Sequence, residues 1–596
     1  MHKSIWIELI GFDKNLNNFG IDEYLREVGF TPDFVSLHLT SVNFFNLHRG
    51  MDEEYTLPNY VCAYNGREKN EQRARQAWTN HDLARLIDEF HKRGIKVFPS
   101  FFDFDSNGDY GKNHPELHWE DQNLIVVIKR LADGTYYEDY LCKKLIEAVK
   151  DYSFDGVQIA DGISSARWNM WLGDICDDLL EQAGIEIPKG EDRAQYIIKH
   201  KALEWMRFFT KRWSSFLEKI MSALKENGIA MAVNSAWTRD PVEAIYRYGC
   251  DYSVIDKYAD FFIVEDVASD IAILGEDDCG YKYSYEERKM KHYEFIANLM
   301  CIRAHFKNSR ITPLFPIWDN LEQWDVINHA PTAMQRATYS NFSHFYLENG
   351  KAVAVSDGPH FCLGDGLTSE KWEFIKKCLD NAQIQNVKKA DGATFIYSAE
   401  KSRLEAEEYI RYGLWHSAKW LAHLLKEGAA LYNITDINNL DFVDGDIVIA
   451  NYYLLNDNEK AIIDNYKNGR VIKVQSEKEE GFLPSEFGWW TRPLRFAEAN
   501  GINEAVKEIN EGVNAKITFE SEECNLCEIL TGEKTSVIVI ENGEYYYSLP
   551  VIETKRKIKN INIITKSQAY PSRFEDYRIK IRIPPRGADI IYVEYE

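Results

Sequence analysis

Long hydrophobic runs are missing from this 596-residue chain. No eighteen consecutive apolar residues occur, so no membrane-spanning helix is expected. The opening MHKSIWIELIGFD has no basic segment followed by an apolar stretch and a small-residue cleavage site, and the chain reads as cytoplasmic. Basic charge is scarce: 70 Lys and Arg stand against 94 Asp and Glu, a formal charge of -24. No block concentrates it. Nucleic acid, which favours a basic face, is not an expected partner, nor is an anionic membrane surface.

Cysteine is thin too, ten in the whole chain and mostly scattered, so there is no disulfide framework. Cys524 and Cys527 form one CxxC with no second pair beside it, which is too little for a zinc site. Phosphate-binding glycine loops are absent, and the first turn, GFDKNLNNFG, carries no dinucleotide fingerprint. A GxSxG elbow is absent, which removes the serine-hydrolase arrangement built on it. HPELH spaces His114 and His118 by four residues. It is not HExxH, and Pro115 weakens the helix that would align them. No metal or cofactor is expected.

What is present is alternation. Short apolar runs alternate with helical patterns over the first 360 residues: WIELI from Trp6, DFVSLHL from Asp33, IKVFPSFFDFD from Ile95, FDGVQIAD from Phe154, IAMAVNSAW from Ile229, YADFFIVED from Tyr258, ITPLFPIWD from Ile311 and KAVAVSDGPH from Lys351. Runs of this length suit parallel strands buried on both faces. Eight of them predict an α/β fold, a (β/α)8 TIM barrel over 1–370, with an open doubly wound sheet as the alternative. A smaller α/β pattern follows over 371–510, read as a three-layer domain with an open sheet. From 511 to 596, period-two runs broken by NG and PP predict an antiparallel β-sandwich or half-barrel.

In a barrel, chemistry gathers at the carboxyl ends of the strands. Those ends carry Glu8, His38, Asp103 with Asp105, Asp161, Asn234 with Trp237, Glu265 with Asp266, Trp318 with Asp319, and Asp357 with His360. Two facing carboxyl groups are the minimum equipment for glycoside hydrolysis. Asp161 and Glu265 are the expected pair. Adjacent strand residues face opposite ways, so only one of Glu265 and Asp266 serves, and strand phase favours Glu265. The structural alternatives are a helix-capping Asp161 and a Glu265 paired with a buried arginine. Trp168, Trp237 and Trp318 offer flat faces for sugar rings. His38 and Asp103 are candidates for hydroxyl binding. Arg239 is a candidate bridge between carboxylate and hydroxyl, or a salt-bridge partner of Asp240. Aromatic residues make up 13% of the chain, which fits a ring-lined cleft or, equally, large cores and interfaces.

FDGVQIADG resembles the fourth-strand signature of several barrel glycoside hydrolases. The layout, with YNITDINNL, GDIVIANYYLLND and IPPRGADIIYVEY in the later parts, is similar to the bacterial β-galactosidases built from a barrel, a flavodoxin-like domain that helps form trimers, and a small β-domain. That family places Asn-Glu after the fourth strand and a glutamate after the seventh. Here the fourth position is Asp161, which resembles instead the α-galactosidase and α-glucosidase superfamily. That resemblance implies Asp161 as nucleophile and Glu265 or Asp266 as acid/base, with retention. The expectation is a glycosidase acting on a small saccharide, as a homodimer or homotrimer. A phosphorylase or transglycosidase using Arg167 and Arg239, or a carbohydrate-binding scaffold without chemistry, are the competing readings.

Overall fold

A computed structural model describes residues 1–58, 76–102, 109–119, 124–167, 169–171, 173, 175–237, 239–265, 282–317, 326–364, 366–484, 494–518, 524–565 and 573–596. Strands β1 (Ser4–Glu8), β2 (Phe34–Ser41), β3 (Lys96–Phe102), β4 (Gly156–Ile159), β5 (Ala230–Asn234), β6 (Phe261–Glu265) and β7 (Arg310–Pro316) are successive parallel neighbours. The chain then leaves the ring for a hairpin of β8 (Phe345–Glu348) and β9 (Lys351–Ala354). It returns as β10 (His360–Cys362), which pairs with both β7 and β1 and closes an eight-stranded barrel.

Seven of the eight expected strands coincide with barrel strands. The eighth is corrected. Lys351–Ala354 is a strand, but it lies at the edge of another sheet, and the closing strand is the shorter HFC that follows. The positions read at its end move accordingly. Asp357 Oδ2 accepts from Ile311 N at 2.8 Å at the start of β7, and His360 opens β10, so both lie at the amino end of the barrel.

Inward phase follows from ring contacts across the barrel. Phe34 of β2 meets Phe98 of β3 at 4.5 Å, Phe261 of β6 at 5.1 Å and His360 at 5.7 Å. Non-adjacent strands touch in this way only through the interior. Counting in twos along each strand, Glu8, His38, Phe102, Gln158, Asn234 and Glu265 also point inward, at or near the opposite end.

The hairpin extends a second, six-stranded sheet. Its order is β15 (Val471–Val474), β14 (Ile447–Ala450), β12 (Thr394–Tyr397), β13 (Asn433–Asp436), β8, β9, parallel except at the hairpin edge. Two antiparallel sheets complete the chain. One holds β11 (Lys389–Ala390), β17 (Cys524–Leu530), β18 (Thr535–Asn542), β20 (Ile558–Ile563) and β23 (Ala588–Tyr595). The other holds β16 (Ala515–Ile517), β19 (Val551–Thr554), β21 (Arg573–Glu575) and β22 (Arg578–Lys580). Ile538, Ile540, Ile552, Ile579 and Ile591 form a core they share. Cys524 and Cys527 are strand residues three apart, and so on opposite faces. The Cys527 thiol meets Ser343 O, and burial pushes its pKa well up. Among the described residues, no helix is long and apolar enough to cross a membrane.

Candidate active site

The segment FDGVQIAD shows how local sequence builds the fourth strand end. Phe154 packs against Tyr152, with ring centroids 5.7 Å apart. Asp155 Oδ2 accepts from Val97 N and lies against His91 Nε2, both at 2.8 Å, which ties the starts of β3 and β4 together. Gly156 leaves room for Phe98: a Cβ there would lie 2.7 Å from its ring and 2.6 Å from Ala230 O. Val157 and Ile159 face outward into the apolar shell, while Gln158 faces inward. The chain then turns. Gly162 takes φ +75°, in the left-handed region that glycine tolerates, and Ser164 N bonds back to Ala160 O at 2.8 Å. That turn holds Asp161 at the surface end of the strand, only 8% exposed. Arg167 reaches back to it, with Nη1 3.8 Å from Asp161 Oδ2 and Nη2 donating to Asp161 O at 3.3 Å.

Two strands along the ring, Glu265 ends β6 and is 3% exposed. Its Oε1 accepts from Asn234 Nδ2 at 2.8 Å, and Asn234 Oδ1 accepts from Gln158 Nε2 at 3.0 Å. A row of amides thus runs across β4 and β5 to the carboxyl group on β6. Ser235 adds a second fixing point. Its Oγ accepts from Glu265 N at 3.1 Å and donates to Trp237 O at 2.5 Å. Trp237 sits at φ +54°, a conformation that costs a bulky residue energy and recurs at functional sites.

On the other side of the mouth, His38 lies between Trp6 (5.4 Å) and Phe102 (5.2 Å), and Trp6 stacks on Phe102 with an interplanar angle of 11°. Burial pushes the His38 pKa down to about 3, so its imidazole is neutral at ordinary pH. Glu8 closes β1 in the same phase, 6% exposed. Beside Asp161 opens a mostly apolar cavity of about 430 Å³ between the loops after β3 and β4. Trp119, Ile125, Gly162, Arg167, Phe209 and Trp213 are among its walls.

Of the expected site residues, Glu8, His38, Asp161, Asn234, Trp237 and Glu265 belong to the carboxyl end of the barrel. Arg239 is drawn elsewhere: its Nε pairs with Glu243 at 3.2 Å, and it lines a different cavity, toward the second sheet. Asp240 caps the helix Pro241–Tyr248, accepting from Val242 N at 2.8 Å. Asp103, Asp105, Trp168, Asp266, Trp318 and Asp319 lie outside the described residues. Sequence reasoning missed Gln158, Ser235 and Trp6. The first carried a signal, as a polar residue in the inward phase of an apolar strand. Trp6 shares the phase of Glu8, and Ser235 carried no signal. Among the described residues no group of three or more His, Cys, Asp or Glu is placed to hold a metal ion.

No protein-family model matches this sequence, and no curated protein matches it. Solved structures do. The chain is similar to the β-galactosidase from the psychrophilic Marinomonas ef1, with a TM-score of 0.58 and 10% identity over 100% of both chains. It is similar to the β-galactosidase from Bacillus circulans sp. alkalophilus, with a TM-score of 0.54 and 10% identity over 100% of this chain and 99% of the other. It is also similar to the polyextremophilic β-galactosidase of the Antarctic haloarchaeon Halorubrum lacusprofundi, with a TM-score of 0.54 and 8% identity over the same shares. At such identity the likeness establishes a shared fold over the whole length.

Proposed function

We propose that this chain is a retaining glycoside hydrolase acting on a small saccharide or glycoside, with Asp161 as nucleophile and Glu265 as acid/base. The carrying observation is the asymmetry between two buried carboxyl groups at one end of the barrel. Arg167 beside Asp161 supports a negative charge there, as a nucleophile needs. Glu265 is held by the neutral amide of Asn234 in a buried setting, which suits a group that must carry a proton to the leaving oxygen. Neutral His38 offers a hydrogen bond to a sugar hydroxyl. Trp237 supplies an apolar face, and the cavity beside Asp161 accommodates the remainder of the substrate. The full-length likeness to β-galactosidase folds supports the same class of chemistry without fixing the sugar.

The proposal extends to the remaining units of the chain. The six-stranded sheet with its helices is read as the flavodoxin-like unit, the paired antiparallel sheets as the β-sandwich, and the working form as a homo-oligomer in the cytoplasm. The phosphorylase reading loses support at its cations, since Arg167 is engaged by Asp161 and Arg239 lines a cavity away from the barrel mouth. The pairing of Asp161 with Arg167 favours a carbohydrate-binding scaffold at that position, whereas the hydrogen bond from the neutral Asn234 amide to Glu265 does not.

Paired α- and β-nitrophenyl glycosides test the proposal, comparing wild type with Asp161→Asn and Glu265→Gln while NMR follows the product anomer. Hydrolysis of one anomer with retention, abolished in both variants, is the expected result. Full activity in either variant removes that residue from the reaction, and inversion removes the nucleophile role.

A further inference from the structure

A second cavity lies on the outer flank of the barrel. It is bounded by the helices Pro241–Tyr248 and Tyr285–His305 on one side and by the helix Ser417–Lys426, beside the second sheet, on the other. Its space is about 630 Å³, counting the part that opens to solvent. The lining is charged in an unbalanced way. Arg239, Arg247, Lys291 and Lys419 face three carboxyl groups, those of Asp240, Glu243 and Glu294.

The pairing leaves a surplus of positive charge. Arg239 Nε and Arg247 Nη1 converge on one oxygen, Glu243 Oε1, at 3.2 and 2.8 Å. Lys291 takes Glu294 at 3.0 Å. Asp240 Oδ1 is occupied by the amides of Val242 and Glu243 and lies 3.5 Å from His416 Nδ1. Lys419 is left over. No carboxylate oxygen pairs with its ammonium within 4 Å among the described residues, although Glu294 and Glu243 act on it from further away, and it is held over the rings of Phe496 (4.5 Å) and Trp415 (5.2 Å). Burial lowers its pKa, opposed by the nearby Glu294. Held over two aromatic faces and not in direct contact with either carboxylate, the ammonium is positioned to take an oxyanion as a direct partner. The first turn of the helix Ser417–Lys426 borders the same space through Ala418 and Lys419, and its positive end adds to the attraction.

We propose that this cavity binds a small oxyanion of the phosphate class, contacted by Lys419 and by the Arg239 guanidinium. Inorganic phosphate and the phosphate group of a phosphorylated sugar share this chemistry. The site lies apart from the barrel mouth and does not depend on the glycosidase reading.

Isothermal titration of the full chain at low ionic strength tests it, with inorganic phosphate in one arm and glucose 6-phosphate in the other. One saturable site is expected in at least one arm. Equal affinity in both arms assigns the site to the ion, and binding of the sugar phosphate alone assigns it to a phosphorylated metabolite. Lys419→Met keeps the stem over the rings and removes the charge, and it should weaken binding at least about tenfold, the scale of one hydrogen bond to a charged group. Lys419→Arg should retain binding, and circular dichroism checks that both variants fold. Absence of binding by the wild type in both arms overturns the proposal. Equal affinity of wild type and a folded Lys419→Met variant does so as well.

Discussion

Asn234 Nδ2 donates to Glu265 Oε1 across 2.8 Å, and the same Asn234 receives Gln158 from the opposite side. Because its oxygen is engaged by one neighbour, its amino group is directed at the other. Asn234→Ala should therefore remove one of the contacts that orient the Glu265 carboxyl while leaving the residue in place. A displacement of about 1 Å costs on the order of 100-fold in rate. We expect kcat on a nitrophenyl glycoside to fall by about that factor with KM little changed. A rise in KM at constant kcat would instead mark Asn234 as a group that binds substrate directly.

Gly156 has no room for a side chain. An alanine Cβ would lie 2.7 Å from the Phe98 ring and 2.6 Å from Ala230 O, at the start of β4. Overpacking of a barrel core costs about 1–3 kcal/mol. Gly156→Ala should lower the melting temperature measurably, and combining it with Phe98→Leu should recover part of the loss. Unchanged melting would mean that the barrel floor yields more easily than its ring contacts suggest.

Buried histidines make the fold acid-sensitive. Burial holds His305 and His292 down to about 4, and His360 down to about 3. In the unfolded chain each ring takes up a proton near pH 6.5. Between these limits the unfolded state binds more protons, so stability rises with pH. The contribution is complete above about 6.5 and is lost as pH falls toward 4, at about 1.4 kcal/mol per pH unit for each ring. Melting temperature followed from pH 7.5 to 5 should fall steeply, and His305→Gln should flatten the curve.

His38 should behave as a neutral ligand throughout the working range. Its imidazole signals, followed by NMR from pH 5 to 8, should not titrate, because burial keeps the ring unprotonated down to about 3. A titration near pH 6.5 would show that water reaches the ring and would remove the argument for a fixed hydroxyl-binding group.

Much of the frame was legible from the chain because parallel strands buried on both faces are written as apolar runs. Ile229–Asn234 and Tyr258–Glu265 needed only their phase to orient Asn234 and Glu265. The eighth strand failed for a physical reason. KAVA is a locally competent strand, and so is the HFC that follows it. Which sheet a strand joins is decided by partners far away in sequence: β9 pairs with β8, while His360–Cys362 finds Leu314–Pro316 and Ser4–Trp6. Arg239 escaped for a related reason. Position placed it just beyond a strand end, but the pull of Glu243 one helical turn away carried its guanidinium to the outer flank.

The detour through β8 and β9 has a consequence for synthesis. The outer edge of β8 pairs with β13, through Phe345 with Asn433 and Tyr346 with Ile434. On a ribosome adding about 5–20 residues per second, that partner arrives on the order of 4–17 s after the hairpin. During that interval a finished barrel would present an open strand edge to its neighbours, the kind of surface that seeds aggregation. The barrel segment and the second sheet therefore share a stretch of chain, and a chain cut short after β10 would carry a strand edge with nothing to cover it.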